Sequence, residues 1–334
     1  MNALLNKLGT RQSTVAIDFG AEAVRVSALH HDAGGAWVVR SVFTLPSVDL
    51  AQGMPASVVH AFAERVRSMG LRGCRARVTI SAIGFQTETA TLPTLKEDEL
   101  AASARFEAIG RLGVDETDTI IRHHALGGTG ETSKVLLLTL PMLTARHAAE
   151  AVVAAGLHPE SVEHAALAAL SGVCQHQRGP ESGLIAVLHV EPRAATVMLH
   201  RDGQLIFLRA LRGEWTVLPA QAPAFDATMH EGDIPLESQD SDAGWRWSSL
   251  AEETLRCLRQ GCGEAAWPER MFLSGAAACD RSLADALQGV CGMPVSAVAC
   301  RGWAKAEMSL DAGWAACLGA ATHDRARVST RRAA

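Results

Sequence analysis

The pattern that most restricts this chain is a three-strand meander that occurs twice. Residues 14–18 form a short apolar run that ends in Asp18-Phe19-Gly20. Residues 24–29 follow, with Val24, Val26 and Ala28 alternating against Arg25 and Ser27, and residues 37–43 alternate again. A period of two marks a half-buried strand, so three strands this close in sequence form an antiparallel meander. About half a chain later the pattern restarts. Residues 183–190, 194–199 and 204–211 repeat it, with Arg201-Asp202-Gly203 at one turn. A chain of 334 residues is long enough to bury two such units.

The segments after each meander supply helices. Residues 55–69 read as an amphipathic helix, with Val58, Val59, Phe62, Val66 and Met69 on one face and Pro55 at its start. Residues 75–81 return as a strand. Residues 84–140 have a different texture and predict a small sheet unit: a strand, a helix over 94–110 with Thr94 as N-cap, then strands at 119–126 and 134–140. Residues 141–155 form a helix that Gly156 ends. In the second half, residues 213–245 are irregular and acidic and predict a loop. Helices are expected at 249–261, 282–290 and 310–322, with strands at 270–273 and 296–299 and a basic tail at 324–334. The fold class is therefore α/β. A duplicated meander followed by helices resembles the actin, sugar-kinase and Hsp70 superfamily, in which two α/β lobes face one nucleotide cleft.

Composition removes several classes of function. Apolar residues make up 48% and charged residues 20%, which excludes a disordered chain. The net charge of −5 argues against a nucleic-acid binder with a basic field. No apolar run approaches the ~20 residues of a membrane helix. No secretory leader is read at the N-terminus, so the expected compartment is the cytoplasm. The spacing of Leu4, Leu5 and Leu8 would hold a membrane poorly. Eight cysteines without a CxxC pair read as reduced thiols.

Other motifs have bland readings. His30-His31 and His123-His124 are tandem pairs whose members point to opposite faces of a strand, so neither pair chelates one metal. The glycine-rich stretch 127–133 lacks the order of a phosphate loop and reads as a hairpin turn. Trp245 and Trp247 read as a staple of the acidic loop to the core.

Four ordered segments resemble the PilM family, the actin-like proteins of type IV pilus assembly, which are relatives of FtsA. Val15-Ala-Ile-Asp-Phe-Gly-Ala-Glu-Ala-Val-Arg-Val resembles the family's opening strand and turn. Leu92-Pro-Thr-Leu followed by Glu97-Asp-Glu-Leu-Ala-Ala-Ser-Ala-Arg-Phe-Glu resembles its second segment. Val135-Leu-Leu-Leu-Thr-Leu-Pro with Ala154-Ala-Gly-Leu-His-Pro resembles its third, and Phe272-Leu-Ser-Gly-Ala-Ala its fourth. The sister proteins MshI and the cytoplasmic part of GspL remain alternatives. The resemblance implies a first lobe over 12–83 and 141–175, with an inserted 1C (SHS2-type) subdomain over 84–140. It also implies a second lobe over 176–322 and a tail over 323–334. It further implies a partner, the cytoplasmic N-terminal tail of a PilN-like inner-membrane protein, docked in a groove between the first lobe and the inserted unit. Other pilus or secretion assembly proteins, a peripheral place at the inner membrane and self-association are further implications.

The resemblance also locates a nucleotide cleft, and its residues are eroded. Asp18 would hold Mg²⁺ and Gly20 would let backbone approach phosphate. Ala21 replaces a usual hydroxyl, Glu22 adds negative charge, and Arg25 stands where Lys is usual. In the second hairpin His189 replaces the Mg²⁺-side Asp, Glu191 replaces Gly, and Pro192 removes a backbone donor. Arg193 could offset Glu191. Ser274 and Gly275 remain from the adenosine motif, but Ala276 and Ala277 replace further glycines. Phosphoryl transfer needs charge neutralised around the γ-phosphate, and this chain adds acid. The reading is an adaptor and pseudo-ATPase with no cofactor expected, weak MgATP binding staying open. The alternatives are an active ATPase or sugar-kinase-like phosphotransferase, and an FtsA-like filament former.

Overall fold

A computed structural model describes residues 13–176, 183–213, 215, 243–263, 266–300, 303 and 310–322. In chain order, the first strands are β1 (Thr14–Phe19), β2 (Ala23–His31), β3 (Trp37–Pro46) and, after α1 (Ala56–Ser68), β4 (Arg75–Ile80). Next come β5 (Gln86–Pro93), α2 (Glu97–Leu112), β6 (Thr119–Thr129), β7 (Thr132–Pro141), α3 (Met142–Ala154), β8 (His158–His164) and α4 (Ala165–His176). The second half holds β9 (Ile185–Glu191), β10 (Ala194–Arg201), β11 (Gln204–Arg212), α5 (Ala243–Cys262), β12 (Arg270–Gly275), α6 (Arg281–Cys291), β13 (Val295–Ala297) and α7 (Ala315–Thr322).

Two five-stranded sheets carry the duplication. Their orders are β3-β2-β1-β4-β8 and β11-β10-β9-β12-β13, the same path laid down twice. In each, the meander is antiparallel and its first strand pairs in parallel with the strand that follows the meander's helical segment. β9 is buried along its whole length and β1 from Val15 onward, as central strands require. The third sheet, β5-β7-β6, is separate, and α2 covers one face through Leu100, Ala104 and Ala108.

Several sequence expectations need correction. Residues 158–176 carry β8 and α4, neither of which was anticipated. β8 reads His-Pro-Glu-Ser-Val-Glu-His and is an edge strand in which only His164 is buried, so it shows no apolar alternation. α4 is small and apolar all round because it is buried on all sides. Thr94 is not the N-cap of α2. Its N–H pairs with the Glu131 carbonyl (3.0 Å), which keeps the chain extended, and the helix begins at Glu97. The Glu99 carboxylate then accepts the Lys96 N–H (3.3 Å). Gly113, at φ 62°, ends α2. The final helix starts at Ala315, after a 3-10 turn over Ala312–Trp314. α5 starts at Ala243, earlier than read, and most of the acidic loop, the N-terminal leucines and the basic tail lie outside the described residues. Trp247 is buried, and its indole N–H donates to Asp280 Oδ2 (3.0 Å).

α4 and α7 join the two large sheets. They pack on each other, α7 lies against β1, β2 and β4 of the first sheet and β12 of the second, and α4 touches both sheets as well. Ser27 Oγ lies 3.2 Å from Cys317 Sγ, and Arg77 donates to the Ala320 carbonyl (3.1 Å) near the C-terminus of α7. Contact this close needs glycine. A Cβ on Gly319 would lie 2.0 Å from the Ala168 carbonyl oxygen. Gly319→Ala should therefore destabilise the protein by about 1–3 kcal/mol, read as a lower urea midpoint. Gly289→Ala, on the exposed face of α6 with nothing within 4 Å, should stabilise by up to about 1 kcal/mol. Equal midpoints for the two variants would refute the close helix contact.

Candidate functional site

The C-terminal ends of β1 and β9 meet at the cleft, and strand register sets what they carry. Asp18 stands opposite Arg25 on β2 and Thr79 on β4. In the second sheet His189 stands opposite Thr196 on β10 and Ser274 on β12. The two rows are equivalent positions of the repeat. Cross-strand neighbours share a face, so each row makes its own polar contacts.

In the first row Thr79 donates to Asp18 Oδ1 (2.7 Å), and Arg25 reaches Glu22 (3.2 Å) and lies 4.0 Å from Asp18 Oδ2. Burial pushes the Asp18 carboxyl up, and Arg25 and Thr79 pull it part of the way back. Glycines give the Arg25 guanidinium its room. A Cβ on Gly20 or on Gly313 would lie 3.3 Å from it. Arg25 thus fills the space beside the β1–β2 turn.

In the second row His189 Nδ1 is 3.0 Å from Ser274 Oγ, and both residues are buried. Burial lowers the His189 pKa to about 3, with nearby His164 and Arg25 acting in the same direction. His164 is lowered to about 4 by burial; its Nδ1 accepts the Ala166 N–H (3.1 Å) and its ring lies 4.7 Å from that of Phe85. Both rings are neutral at pH 7.

Glu191 closes the site. It is buried and its Oε2 accepts the Ala82 N–H at 2.8 Å. The Ser81 hydroxyl bonds the same carboxylate. Burial raises its pKa to about 7, against these two hydrogen bonds, and Asp18 and Glu22 add to the rise. The bond crosses from the second sheet to the turn that follows β4 in the first.

Of the residues read from sequence, Asp18, Gly20, Ala21, Arg25, Glu191 and Gly275 line one cavity, with Glu22, His189, Pro192 and Gly313. Its volume is ≈ 10 Å³, the room of about one water. Two residues have other places. Arg193 is exposed on the β9–β10 turn and forms no ion pair among the described residues, so it does not offset Glu191. Ser274 is turned into the sheet and bonds His189. Gly275, at φ 89°, serves strand packing, since a Cβ there would lie 2.4 Å from the Val190 carbonyl oxygen. Thr79, Ser81, Ala82 and His164 were missed. Thr79 could have been found from the β1–β4 register; a backbone N–H such as that of Ala82 leaves no mark in a sequence.

These groups do not fit a metal-bound triphosphate. Asp18 is engaged by Thr79 and faces Arg25, and the acids Glu22 and Glu191 line the same small cavity. Among the described residues no cluster of three or more His, Cys, Asp or Glu side chains is arranged to hold a metal.

No protein family matches the sequence, and no curated protein matches it either. Solved structures do match. The chain is similar to a PilM-PilN type IV pilus biogenesis complex at 18% identity, over 93% of this chain and 98% of that one, with a TM-score of 0.71. A Bacteroides thetaiotaomicron protein with an actin-like ATPase fold and unknown function matches at 11% identity, 86% and 91% coverage and a TM-score of 0.49. The cytoplasmic domain of EpsL, from the type II secretion system of Vibrio cholerae, matches at 14% identity, 93% and 95% coverage and a TM-score of 0.48. The fold is actin-like, with two lobes, and resembles that of PilM.

The buried ionisable groups give a pH dependence with a definite sign. His189 and His164 have pKa values below their unfolded value of 6.5, so their stability is lost as pH falls below 6.5. Glu191 is raised from 4.5 to about 7, so its contribution runs the other way, lost as pH rises from 4.5 through about 7. His189→Asn should therefore gain thermal midpoint relative to the wild type as pH falls from 6.5. Glu191→Gln should gain relative to the wild type as pH rises from 4.5 to about 7. Parallel midpoint curves for variant and wild type would contradict these assignments.

Proposed function

We propose that this protein is a PilM-like adaptor of a type IV pilus or related secretion machine. It binds the extended cytoplasmic tail of a PilN-like inner-membrane protein and turns over no ATP. The reading rests on one observation above others: the match to the PilM-PilN complex, which covers 93% of this chain and 98% of that one. At 18% identity that match carries the fold, and the partner is an inference from it. The filled cleft supports the second half of the reading, because the residues meeting there leave space for about one water. Among the described residues no helix is long and apolar enough to cross a membrane, so a membrane-anchored partner would supply the place at the inner membrane.

A docking position fits this reading. The chain enters the small sheet at Ile83 and leaves it at Met142 and Leu143, and all three side chains are exposed. Apolar side chains at this junction suit an extended peptide with apolar anchors. The probe is a synthetic peptide of the N-terminal cytoplasmic tail of a PilN-like inner-membrane protein. Binding should weaken about tenfold or more in Leu143→Asp and stay unchanged in Val290→Asp, an exposed apolar position on α6 far along the chain. Equal affinity for both variants would remove the junction as the site. Phosphate release from MgATP above a protein-free blank would favour the phosphotransferase alternative.

A further inference from the structure

We propose that Ser81 and Ala82 form an anion site for a carboxylate or phosphate oxygen, and that Glu191 of the opposite lobe occupies it as a permanent internal ligand. The cleft is thereby held closed with no nucleotide. The proposal rests on the reading of the cleft as closed to ATP.

Three observations carry it. The first is the source of the ligand. Glu191 belongs to β9 in the second sheet, and its partners lie 109 residues earlier, just after β4 in the first. A side chain that reaches across a cleft to a backbone donor joins the two sides. The second is burial. Glu191 is only 5% exposed, and a carboxylate taken out of water needs compensating donors, which the Ala82 N–H and the Ser81 hydroxyl supply. The third is position. Glu191 ends the strand whose counterpart in the first lobe ends at Asp18-Phe19-Gly20, so its carboxylate sits in the turn that faces the other hairpin.

The neighbours are arranged to suit. Asp18 and Glu22, from the β1–β2 hairpin, oppose a second charge, while Arg25 from the same hairpin is engaged by Glu22. His189 on β9 and His164 at the end of β8 are neutral and add no positive charge. Arg193 is exposed and is not among the groups acting on Glu191. The tie is therefore made by two hydrogen bonds and not by an ion pair. That makes it a contact that an outside anion could reproduce only once Glu191 is gone.

The test is hydrogen exchange at the Ala82 amide in the full chain, with small-angle scattering as a second readout of lobe closure. Glu191→Ala should lose protection about tenfold or more at Ala82 and gain radius. Glu191→Gln, which keeps an acceptor oxygen, should retain most of both. Excess acetate should restore protection in Glu191→Ala, and the same concentration of chloride should not. Unchanged protection in Glu191→Ala, or loss without acetate rescue, overturns the proposal. MgATP should leave the wild type unchanged. If it raises Ala82 protection in the wild type, the closed-cleft reading fails, and the acetate result still judges the internal ligand separately.

Discussion

The arrangement of the cleft depends on how closely α4 and α7 approach. Two sheets with the same strand order could be joined in many ways. Here they are fixed because Gly319 lets one helix backbone lie against the Ala168 carbonyl of the other, and a larger residue would force them apart. Gly172 does the same for Trp303, whose ring would lie 2.1 Å from an added Cβ. This packing sets the separation of β1 and β9. That separation decides whether Glu191 can reach Ala82 at hydrogen-bond distance or would be left as a buried acid without donors.

Around that contact most of the charged and polar residues find partners within the protein. In a working phosphate cleft, charge balance comes from outside, from the ligand and its metal. Here Arg25 sits between Asp18 and Glu22, Thr79 satisfies Asp18, Ser274 satisfies His189, and backbone and hydroxyl donors satisfy Glu191. Buried polar groups that find partners within the protein no longer need a ligand to offset their desolvation. A substitution that looks like decay when read alone is, in three dimensions, bonded to its neighbours.

Much of this was legible in the sequence, for reasons that differ by element. Both meanders announce themselves because β2 alternates against a covered face and β1 and β9 are short apolar runs that end in turns. β8 does not, since an edge strand of polar residues has no pattern to show. Thr94 looks like a cap by type, but the pairing of its backbone with Glu131 decides otherwise, and that pairing is tertiary. Glu191 and Pro192 were visible as intruders in a glycine turn. What Glu191 does instead was hidden, because its partner is a backbone amide from the other half of the molecule. Arg193 was the nearer cation in sequence and Arg25 is the one the register brings in. Ser274 was read toward the cleft and is spent on His189.

The ties of α7 bear on how the chain is made. Ser27 and its partner Cys317 are 290 residues apart, and Arg77 reaches the Ala320 carbonyl across a similar span. The face of the first sheet that α7 covers is complete in sequence by β4 and stays without this helix until residues 315–322 have been made. During synthesis the first lobe is a sheet with one apolar face open to water. Such a face is where a nascent chain sticks to its neighbours or recruits a chaperone. α7 therefore also sets the moment at which the first sheet loses that open face.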